Sequence, residues 1–295
     1  MAEPTQSMTT KRIWLGVVLV LALVGMGSCA IGINSFFDEE RNPVQRITAV
    51  KTLPATRLEV GAKVIFTDPI RGLMRVELEF HPKGELVAAN GHDMARDVHV
   101  LTNTTYGQPE IILKKNHQPH PIEMTLSLLD GDAALYPIDQ YTAHLQLESY
   151  IERGKDDETA VPLILDFVSH NHVLHAEAFL GADSEPHELN VQLKLKRPAT
   201  VQGFAWFMNG LMILIAICAS LITFNVSYRD KKLEPNFMVW MSALLFVLPT
   251  IRNTLPGAPP LGSLTDFMVF FWVEAVVSIA LFILVVTWYR RAGPG

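Results

Sequence analysis

Residues 249–266 read PTIRNTLPGAPPLGSLTD and join two apolar segments through a turn rich in proline and glycine. Arg252 lies at the end of the first apolar segment, and Glu274 lies inside the second. Ionisable side chains at membrane depth are costly, so they normally face a partner or a water-filled cavity. This hairpin therefore constrains both the fold and the function of the chain.

The hairpin belongs to a set of four long apolar segments. A helix that crosses a bilayer needs about 20 predominantly apolar residues. The sequence predicts transmembrane helices at residues 13–33, 204–226, 237–254 and 267–289. The third is short, and it spans a bilayer only if Arg252 and the residues after it extend it toward the surface.

Basic residues flank these segments on one side only. They are Lys11 and Arg12 before the first segment, Arg229, Lys231 and Lys232 between the second and third, and Arg290 and Arg291 after the fourth. Because cytoplasmic flanks are enriched in Lys and Arg, both termini are predicted to be cytoplasmic, with residues 1–12 as a tail. Residues 34–200 then form the main extracytoplasmic domain of a multi-pass plasma-membrane protein.

The first apolar segment has two interpretations. Met26-Gly27-Ser28-Cys29 loosely resembles a lipoprotein cleavage site, so the segment could be removed or lipidated at Cys29. Against this, the apolar residues continue to Ile33, which is long enough for a retained membrane helix. Ser28 and Gly32 are four residues apart, a small-residue spacing that lets helices approach closely, so both are candidate helix-packing or partner-contact residues.

Residues 34–200 alternate apolar and polar side chains. Val76, Leu78 and Phe80, for example, alternate with Glu77 and Glu79. The alternation predicts strands at residues 57–66, 73–80, 122–129, 142–150, 173–179 and 189–195. We therefore expect an α+β membrane protein, with an antiparallel β-sandwich of about eight to ten strands inserted between the first helix and a three-helix C-terminal bundle.

Charge and composition exclude several functions for this outer domain. Residues 34–200 carry 16 Lys/Arg and 25 Asp/Glu, a net charge of −9, which argues against nucleic-acid binding. Both cysteines, Cys29 and Cys218, fall in apolar segments, so no disulfide or cysteine-based metal site is expected outside the membrane.

No motif in the sequence points to catalysis. The chain contains no Gly-x-Ser-x-Gly, no His-Glu-x-x-His and no phosphate-binding glycine-rich loop. His170, His172 and His175 cluster in sequence, and we interpret them as part of a hairpin turn rather than as a metal site. We accordingly predict no catalytic residues, no metal and no cofactor.

Three polar residues are predicted to share one layer in the outer half of the membrane. They are Asn209 in the second segment, Arg252 in the third and Glu274 in the fourth. Pairing of Arg252 with Glu274 would neutralise both, and Asn209 could add a hydrogen bond. We interpret the layer as a helix-packing or partner contact in preference to a transport path.

A second notable element is the segment Tyr136-Pro137-Ile138-Asp139. Asp139 is expected to accept hydrogen bonds from backbone amides and so to fix a turn. A similar aromatic-Pro-x-Asp element occurs in the loop of pentameric ligand-gated channels that touches their membrane helices, and the resemblance is confined to this element. Tyr136, Pro137 and Asp139 are therefore predicted to form a turn at the interface between the outer domain and the membrane.

The hairpin also carries a family resemblance. The run IRNTLPGAPPLG at residues 251–262, followed by Asp266, Phe271-Trp272 and Glu274, resembles a domain-of-unknown-function family of actinobacterial membrane proteins. The turn around Pro137 resembles that family as well. The resemblance implies a mycobacterial cell membrane and the same layout of one span, an outer domain and three further spans. It implies no activity.

These features favour a non-enzymatic accessory or assembly subunit of a cell-envelope membrane complex. From the envelope that the resemblance implies, a lipid ABC importer of the mammalian-cell-entry type is the expected partner. One alternative is a self-assembling channel or small transporter lined by Arg252 and Glu274. Another is a sensor whose outer domain binds a ligand and acts through a partner.

Overall fold

The computed structural model describes residues 44–152, 158–169, 171, 173–229 and 231–292. These residues form β-strands linked by turns up to residue 196 and long helices from residue 199 onward, so the protein belongs to the α+β class. The predicted helix at residues 13–33 lies outside the described residues, and so do Ser28, Cys29 and Gly32. His170 and His172 are also outside them.

The strands form two sheets. The first has five strands, in the spatial order β1 (Gln45–Ile47), β9 (Leu163–Ser169), β2 (Arg57–Asp68), β3 (Leu73–Lys83) and β6 (Ile122–Ser127). The second has the order β10 (His175–Leu180), β11 (Glu188–Lys196), β7 (Gln140–Glu152), β4 (Val98–Thr102) and β5 (Glu110–Leu113), with β8 (Glu158–Ala160) paired to β7. The described residues thus contain eleven strands, against the eight to ten expected.

Alternation directs one face of each sheet into a shared core. In β2, for example, Leu58, Val60, Ala62 and Val64 are buried, whereas Lys63 between them is exposed. Buried residues of both sheets belong to a single hydrophobic cluster. Two sheets that enclose one core are typical of a β-sandwich, and burial of this apolar surface is the main source of its stability. We call residues 44–197 the two-sheet domain.

One strand pair departs from the predicted antiparallel arrangement. β2 and β9 run parallel, with Leu58 opposite Leu163 and Val64 opposite Ser169. The chain reaches β9 by crossing from the second sheet rather than through a hairpin, and a crossover permits parallel pairing. Leu163, Ile164 and Leu165 are all buried, so β9 lacks the alternation that identifies a half-exposed strand.

Three long helices follow the two-sheet domain. They are α1 (Ala199–Ser227), α2 (Pro235–Asn253) and α3 (Phe271–Ala292), the last of which continues a π-helical turn at Asp266–Phe270. All three are long and apolar enough to cross a membrane. The shortest, α2, has 19 residues and is about 28 Å long at 1.5 Å per residue. The protein is therefore expected to associate with a membrane.

The helix bundle is held together by an apolar stripe on α3. Its buried residues recur at the helical period and are Val273, Val277, Ala280 and Leu284, and the buried Val269 of the preceding π-helical turn continues the stripe. This stripe packs against both α1 and α2. Large apolar side chains such as Phe207, Phe246 and Phe282 point away from the bundle and are exposed, as expected for helices that face lipid.

Candidate functional site between the two-sheet domain and the helices

The passage from sheet to helix takes only two residues. β11 ends at Lys196 and α1 begins at Ala199, so Arg197 and Pro198 alone connect them. Pro198 provides the extended backbone before the first helical turn, and its lack of an N–H is harmless there. Nε2 of Gln202 donates to the carbonyl oxygen of Arg197 at 3.0 Å. This bond fixes the backbone at the point where the two parts of the molecule meet.

Arg197 forms a buried ion pair with Asp139. Nε and Nη2 of Arg197 each donate to one carboxylate oxygen of Asp139 at 2.9 Å, and the two side chains are almost completely buried. The hydroxyl of Tyr141 donates to the same carboxylate at 2.9 Å. Bidentate, charge-assisted pairs are among the strongest hydrogen bonds in proteins, so this contact ties the end of β11 to the turn before β7.

Tyr136 places that turn against the helices. The peptide bond between Tyr136 and Pro137 is cis, and the tyrosine ring lies 4.8 Å from the guanidinium carbon of Arg197. The ring packs with Ala205 of α1 and with Leu255 after α2. Burial raises the pKa of Tyr136 to about 12. Its hydroxyl is buried and has no hydrogen-bond partner among the residues that the structure describes.

The loop between α2 and α3 covers the other side of Arg197. Gly257 has a φ of 78°, in the left-handed region that favours glycine. A Cβ at this position would collide with Nη1 of Arg197 and would come within 2.8 Å of Cγ1 of Val173. Nη1 of Arg197 is itself buried without a partner in the described part of the chain. The loop backbone therefore packs directly on the arginine that joins sheet to helix.

The same loop is closed by a second buried arginine. Nε and Nη2 of Arg252 donate to the two carboxylate oxygens of Asp266 at 2.8 and 2.6 Å, and Nη2 also donates to the carbonyl oxygen of Pro260 at 2.7 Å. Asp266 further accepts hydrogen bonds from the backbone amides of Gly262 and Ser263. These bonds satisfy the polar groups of the hairpin locally.

The predicted pairing of Arg252 with Glu274 is therefore wrong. Asp266 lies at the start of the helical segment, level with Arg252 and beside the loop amides. Glu274 is eight residues farther along, about 12 Å away at 1.5 Å per residue. Asp266 is at the same level as Arg252 and forms the ion pair with it, whereas Glu274 does not take part.

Three polar side chains inside the bundle have buried atoms without partners in the described ranges. Asn209 is 2% exposed and makes no side-chain hydrogen bond with either its oxygen or its nitrogen. Oγ1 of Thr223 and Oε2 of Glu274 are in the same situation. Glu274 as a whole is half-buried, so its side chain reaches the surface of the bundle. Unpaired polar atoms in an apolar bundle are costly and mark positions where a partner is expected.

The prediction of a turn at the membrane interface concerned three residues whose contacts the structure describes, and its membrane part stays a prediction. Tyr136, Pro137 and Asp139 lie where the two-sheet domain meets the helices. The sequence argument missed Arg197 and Tyr141 as partners of Asp139, and it missed Asp266 as the partner of Arg252. The available signals were an arginine immediately before the first of the three membrane-length helices and an aspartate at the start of the third.

No group of three or more His, Cys, Asp or Glu side chains among the described residues could hold a metal ion. His175 lies at the start of β10 and is paired with Lys196 in the sheet register. In the ion pairs of Arg197 and Arg252 each guanidinium group faces an aspartate carboxylate, and both pairs connect separate parts of the fold.

Comparison with known families divides the chain at the connection between β11 and α1. We call this connection, formed by Arg197 and Pro198, the joint. The model of a Domain of unknown function (DUF8686) matches residues 197–291, which comprise Arg197 and the three helices. The model of a Domain of unknown function (DUF4436) matches residues 48–195, half of the chain and nearly all of the two-sheet domain. A search of curated proteins gave no match. With half of its length matched by that model, the chain belongs to the DUF4436 family.

Proposed function

We propose that this chain is a non-enzymatic accessory or assembly subunit of a membrane complex in the cell envelope. The observation that carries the proposal is Glu274. It lies in a helix long and apolar enough to cross a membrane, and its buried Oε2 has no hydrogen-bond partner among the described residues. Ionisable groups at membrane depth normally pair with other polar groups. A polar or basic side chain of a partner protein would supply this contact.

Arg252 is not available for that role, because Asp266 and Pro260 occupy its donors. This also weakens the alternative of a channel or transporter lined by Arg252 and Glu274. Of these two residues only Glu274 keeps a buried polar atom without a partner in the described part of the chain. A single acidic group offers no series of sites along which an ion or proton could move.

A groove between α1 and α3 offers a surface for a helix of the partner. It has a volume of about 470 Å³ and is lined by Ile213, Ala216, Ile217, Ser220, Leu221, Phe224, Trp272, Val273 and Val276. Ala216 and Ser220 are small and four residues apart, a spacing that lets a second helix approach closely. The remaining lining is apolar and suits packing within a bilayer.

The proposed orientation has the two-sheet domain outside the plasma membrane and both termini in the cytoplasm. Two basic flanks meet at one end of the bundle, since Arg291 donates to the carbonyl oxygens of Lys231 and Val226 at 2.8 and 2.7 Å. A shared basic end is what a cytoplasmic side requires. From the envelope that the family resemblance implies, we take a lipid importer of the mammalian-cell-entry type as the partner.

Purification of the tagged chain from native membranes in mild detergent tests the proposal. We expect importer subunits to be recovered in constant ratio, and Glu274→Ala to lower that recovery about tenfold, equivalent to a loss of about 1.4 kcal/mol in association. Ser278→Ala, one helical turn away at an exposed position, is the matched control. Recovery of the chain alone in several detergents would count against the proposal.

Site-specific cross-linking identifies what contacts Glu274. A photoreactive amino acid at position 274 should link this chain to another protein. A link that stays within the chain would show that its own residues cover Glu274 and would remove the main argument for a partner.

Cysteine labelling in intact cells tests the orientation separately. In a chain with Cys29 and Cys218 replaced by serine, a membrane-impermeant maleimide should label Gly91→Cys. It should label Lys231→Cys only after lysis. The reverse pattern would place the two-sheet domain in the cytoplasm.

A further inference from the structure

The two sides of the two-sheet domain differ in how their edge strands are covered. On one side, the outer strands β1 and β10 lie together, and Oε1 of Gln45 accepts a hydrogen bond from the backbone amide of Ala178 at 2.8 Å. On the other side, the outer strands β5 and β6 face each other across a cleft of about 830 Å³. The cleft is within the size range of protein ligand sites.

The cleft is lined by both apolar and polar residues. Its lining residues are Thr102, Thr104, Tyr106, Gly107, Gln108, Pro109, Glu110, Ile111, Ile112, Lys114, Ile122, Glu123 and Met124. Ile111 and Met124 are buried at its floor, where the core of the domain comes close to the surface. Ile112 and Tyr106 are exposed at its rim, at 47% and 65%.

The pairing of β5 with β4 determines which backbone groups point into the cleft. The amide of Thr102 donates to the carbonyl oxygen of Pro109 at 2.7 Å, so Pro109 faces β4. Antiparallel strands alternate in the direction of their hydrogen bonds, so Ile111 also faces β4. Glu110 and Ile112 must therefore direct their N–H and C=O groups outward. No described strand pairs with that edge of β5.

The opposite wall of the cleft is β6, and part of its outer edge already forms hydrogen bonds with the loop before β5. The carbonyl oxygen of Thr125 accepts from the amide of Thr105 at 2.7 Å, and the amide of Thr125 donates to Oγ1 of Thr104 at 3.2 Å. Thr125 thus faces away from β3, and by the same alternation so does Glu123. Both walls of the cleft consequently present backbone donors and acceptors beside apolar side chains.

Charge narrows the choice of ligand. Glu110 and Glu123 lie on the two walls, against Lys114 alone as a basic residue in the lining. The carboxylate of Glu110 accepts from the hydroxyl of Tyr150 at 3.3 Å and lies 2.7 Å from Nδ1 of His99. Glu123 lies 3.5 Å from Arg75. Residues 34–200 as a whole carry a net charge of −9, so a cationic ligand is favoured over an anionic one.

We propose that the cleft binds an extended peptide segment with alternating apolar and basic residues, which adds a strand to the free edge of β5. Its apolar side chains would contact the buried Ile111 and Met124, and its basic side chains would lie on the other face of the added strand, near Glu110 and Glu123. Strand addition obtains affinity from main-chain hydrogen bonds and specificity from alternate side chains. Unpaired edges that remain accessible are templates for such pairing. The inference is independent of the proposed assembly role of the helices.

The test uses the full chain in detergent and the peptide Val-Lys-Val-Lys-Val-Lys-Val with blocked termini. We expect hydrogen exchange to slow in residues 108–113. A control peptide with the same sequence but N-methylated alternate amides keeps the charge and apolarity while losing donors. It should bind at least about tenfold more weakly. Equal binding of the two peptides, or no binding of the first up to millimolar concentration, would overturn the proposal.

Variants of Ile112 test the same edge from the protein side. Ile112→Pro removes the outward N–H while leaving the hydrogen bonds with β4, since proline is tolerated on edge strands. It should weaken peptide binding at least about tenfold, whereas Ile112→Val should bind as the unmodified chain does. The N-methylated peptide gives the decisive comparison if Ile112→Pro lowers the unfolding temperature. Lauric acid is the second ligand to be tested. If it slows hydrogen exchange in residues 108–113 and the peptide does not, the cleft is a lipid site and strand addition is refuted.

Discussion

Two buried arginines, Arg197 and Arg252, bind aspartates with the same two-pronged geometry but connect different parts of the chain. Arg197 and Asp139 are 58 residues apart and join the end of β11 to the turn before β7. Arg252 and Asp266 are 14 residues apart and close a single loop. Nη2 of Arg252 also donates to the carbonyl oxygen of Pro260, whereas Nη1 of Arg197 is unpaired within the described part of the chain.

The difference separates a local role from a connecting one. The pair of Arg252 and Asp266 satisfies groups of its own hairpin, so its loss should damage the loop and the ends of α2 and α3. The pair of Arg197 and Asp139 lies where sheet, helix and loop meet, so its loss should also reduce the cooperativity between the two-sheet domain and the helices. Energy alone does not distinguish the two pairs, because each buries one charge against another.

The largest effect is expected at the hairpin. Arg252→Met should lower the free energy of unfolding by about 3–5 kcal/mol, because Asp266 stays buried without its counter-charge. Adding Asp266→Asn removes that charge while keeping an acceptor for the amides of Gly262 and Ser263, so the double variant should recover most of the loss. Denaturant unfolding of the purified protein measures both. Losses that simply add would show that the two residues are not coupled.

Removing Arg197 at the joint should destabilise the protein somewhat less than removing Arg252, but it should also change how the protein unfolds. Arg197→Met is expected to cost about 3 kcal/mol, at the low end for a broken buried pair, because Tyr141 still donates to Asp139. The variant should also unfold in two separate transitions, one of the helices and one of the two-sheet domain. Trp206, Trp240, Trp272 and Trp288 lie in the three helices, and the two-sheet domain contains no tryptophan, so fluorescence of these four residues follows the helices, while circular dichroism at β-sheet wavelengths follows the sheets. Coincident transitions in this variant would mean that Arg197 does not couple the two parts.

Two glycines of the hairpin provide a matched pair for the close packing on Arg197. Gly257 and Gly262 both have positive φ, but only at Gly257 would a Cβ collide with Arg197. Gly257→Ala should cost about 2–3 kcal/mol and Gly262→Ala about 1 kcal/mol, which is the cost of the left-handed backbone alone. The difference in unfolding free energy is the measurement. It should shrink when Arg197→Met is added, and an unchanged difference would assign the collision to Val173.

The smallest expected effect is a loss of folding stability at alkaline pH that depends on Tyr136. The pKa of Tyr136 is raised by burial from 10.0 to about 12. The stability linked to Tyr136 is therefore fully present below pH 10 and is lost as pH rises from about 10 to about 12, where the unfolded chain releases this proton first. Tyr136→Phe should flatten the decline of stability in this window. An identical decline in the variant would assign the alkaline loss to other groups.

Sequence patterns located the elements that have one face in the core and one outside. The predicted strands at residues 142–150 and 189–195 lie within β7 and β11, whose side chains alternate between buried and exposed positions. β9 was not predicted, since both of its faces are covered and alternation disappears. β5 has only four residues, too few to establish a period.

The sequence drew attention to some residues of the candidate site but not to their pairing partners. Pro137 and Asp139 indicated a turn near the membrane, yet the partner of Asp139 is 58 residues away and no local pattern points to it. Counting helical rise placed Arg252 and Glu274 in the same half of the bundle. It could not show that two loop amides fix the carboxylate of Asp266 beside the arginine.

The two-residue connection between β11 and α1 also sets the angle of the helix about its own axis. Each residue of an α-helix advances about 100° around that axis. One residue inserted at Pro198 would leave every side chain of α1 intact while turning Ala205 and Asn209 to a different neighbour. The length of the connection between β11 and α1 therefore determines which face of α1 contacts the rest of the bundle. Proteins with the same two domains but a different spacing would present another face of α1 to the bundle.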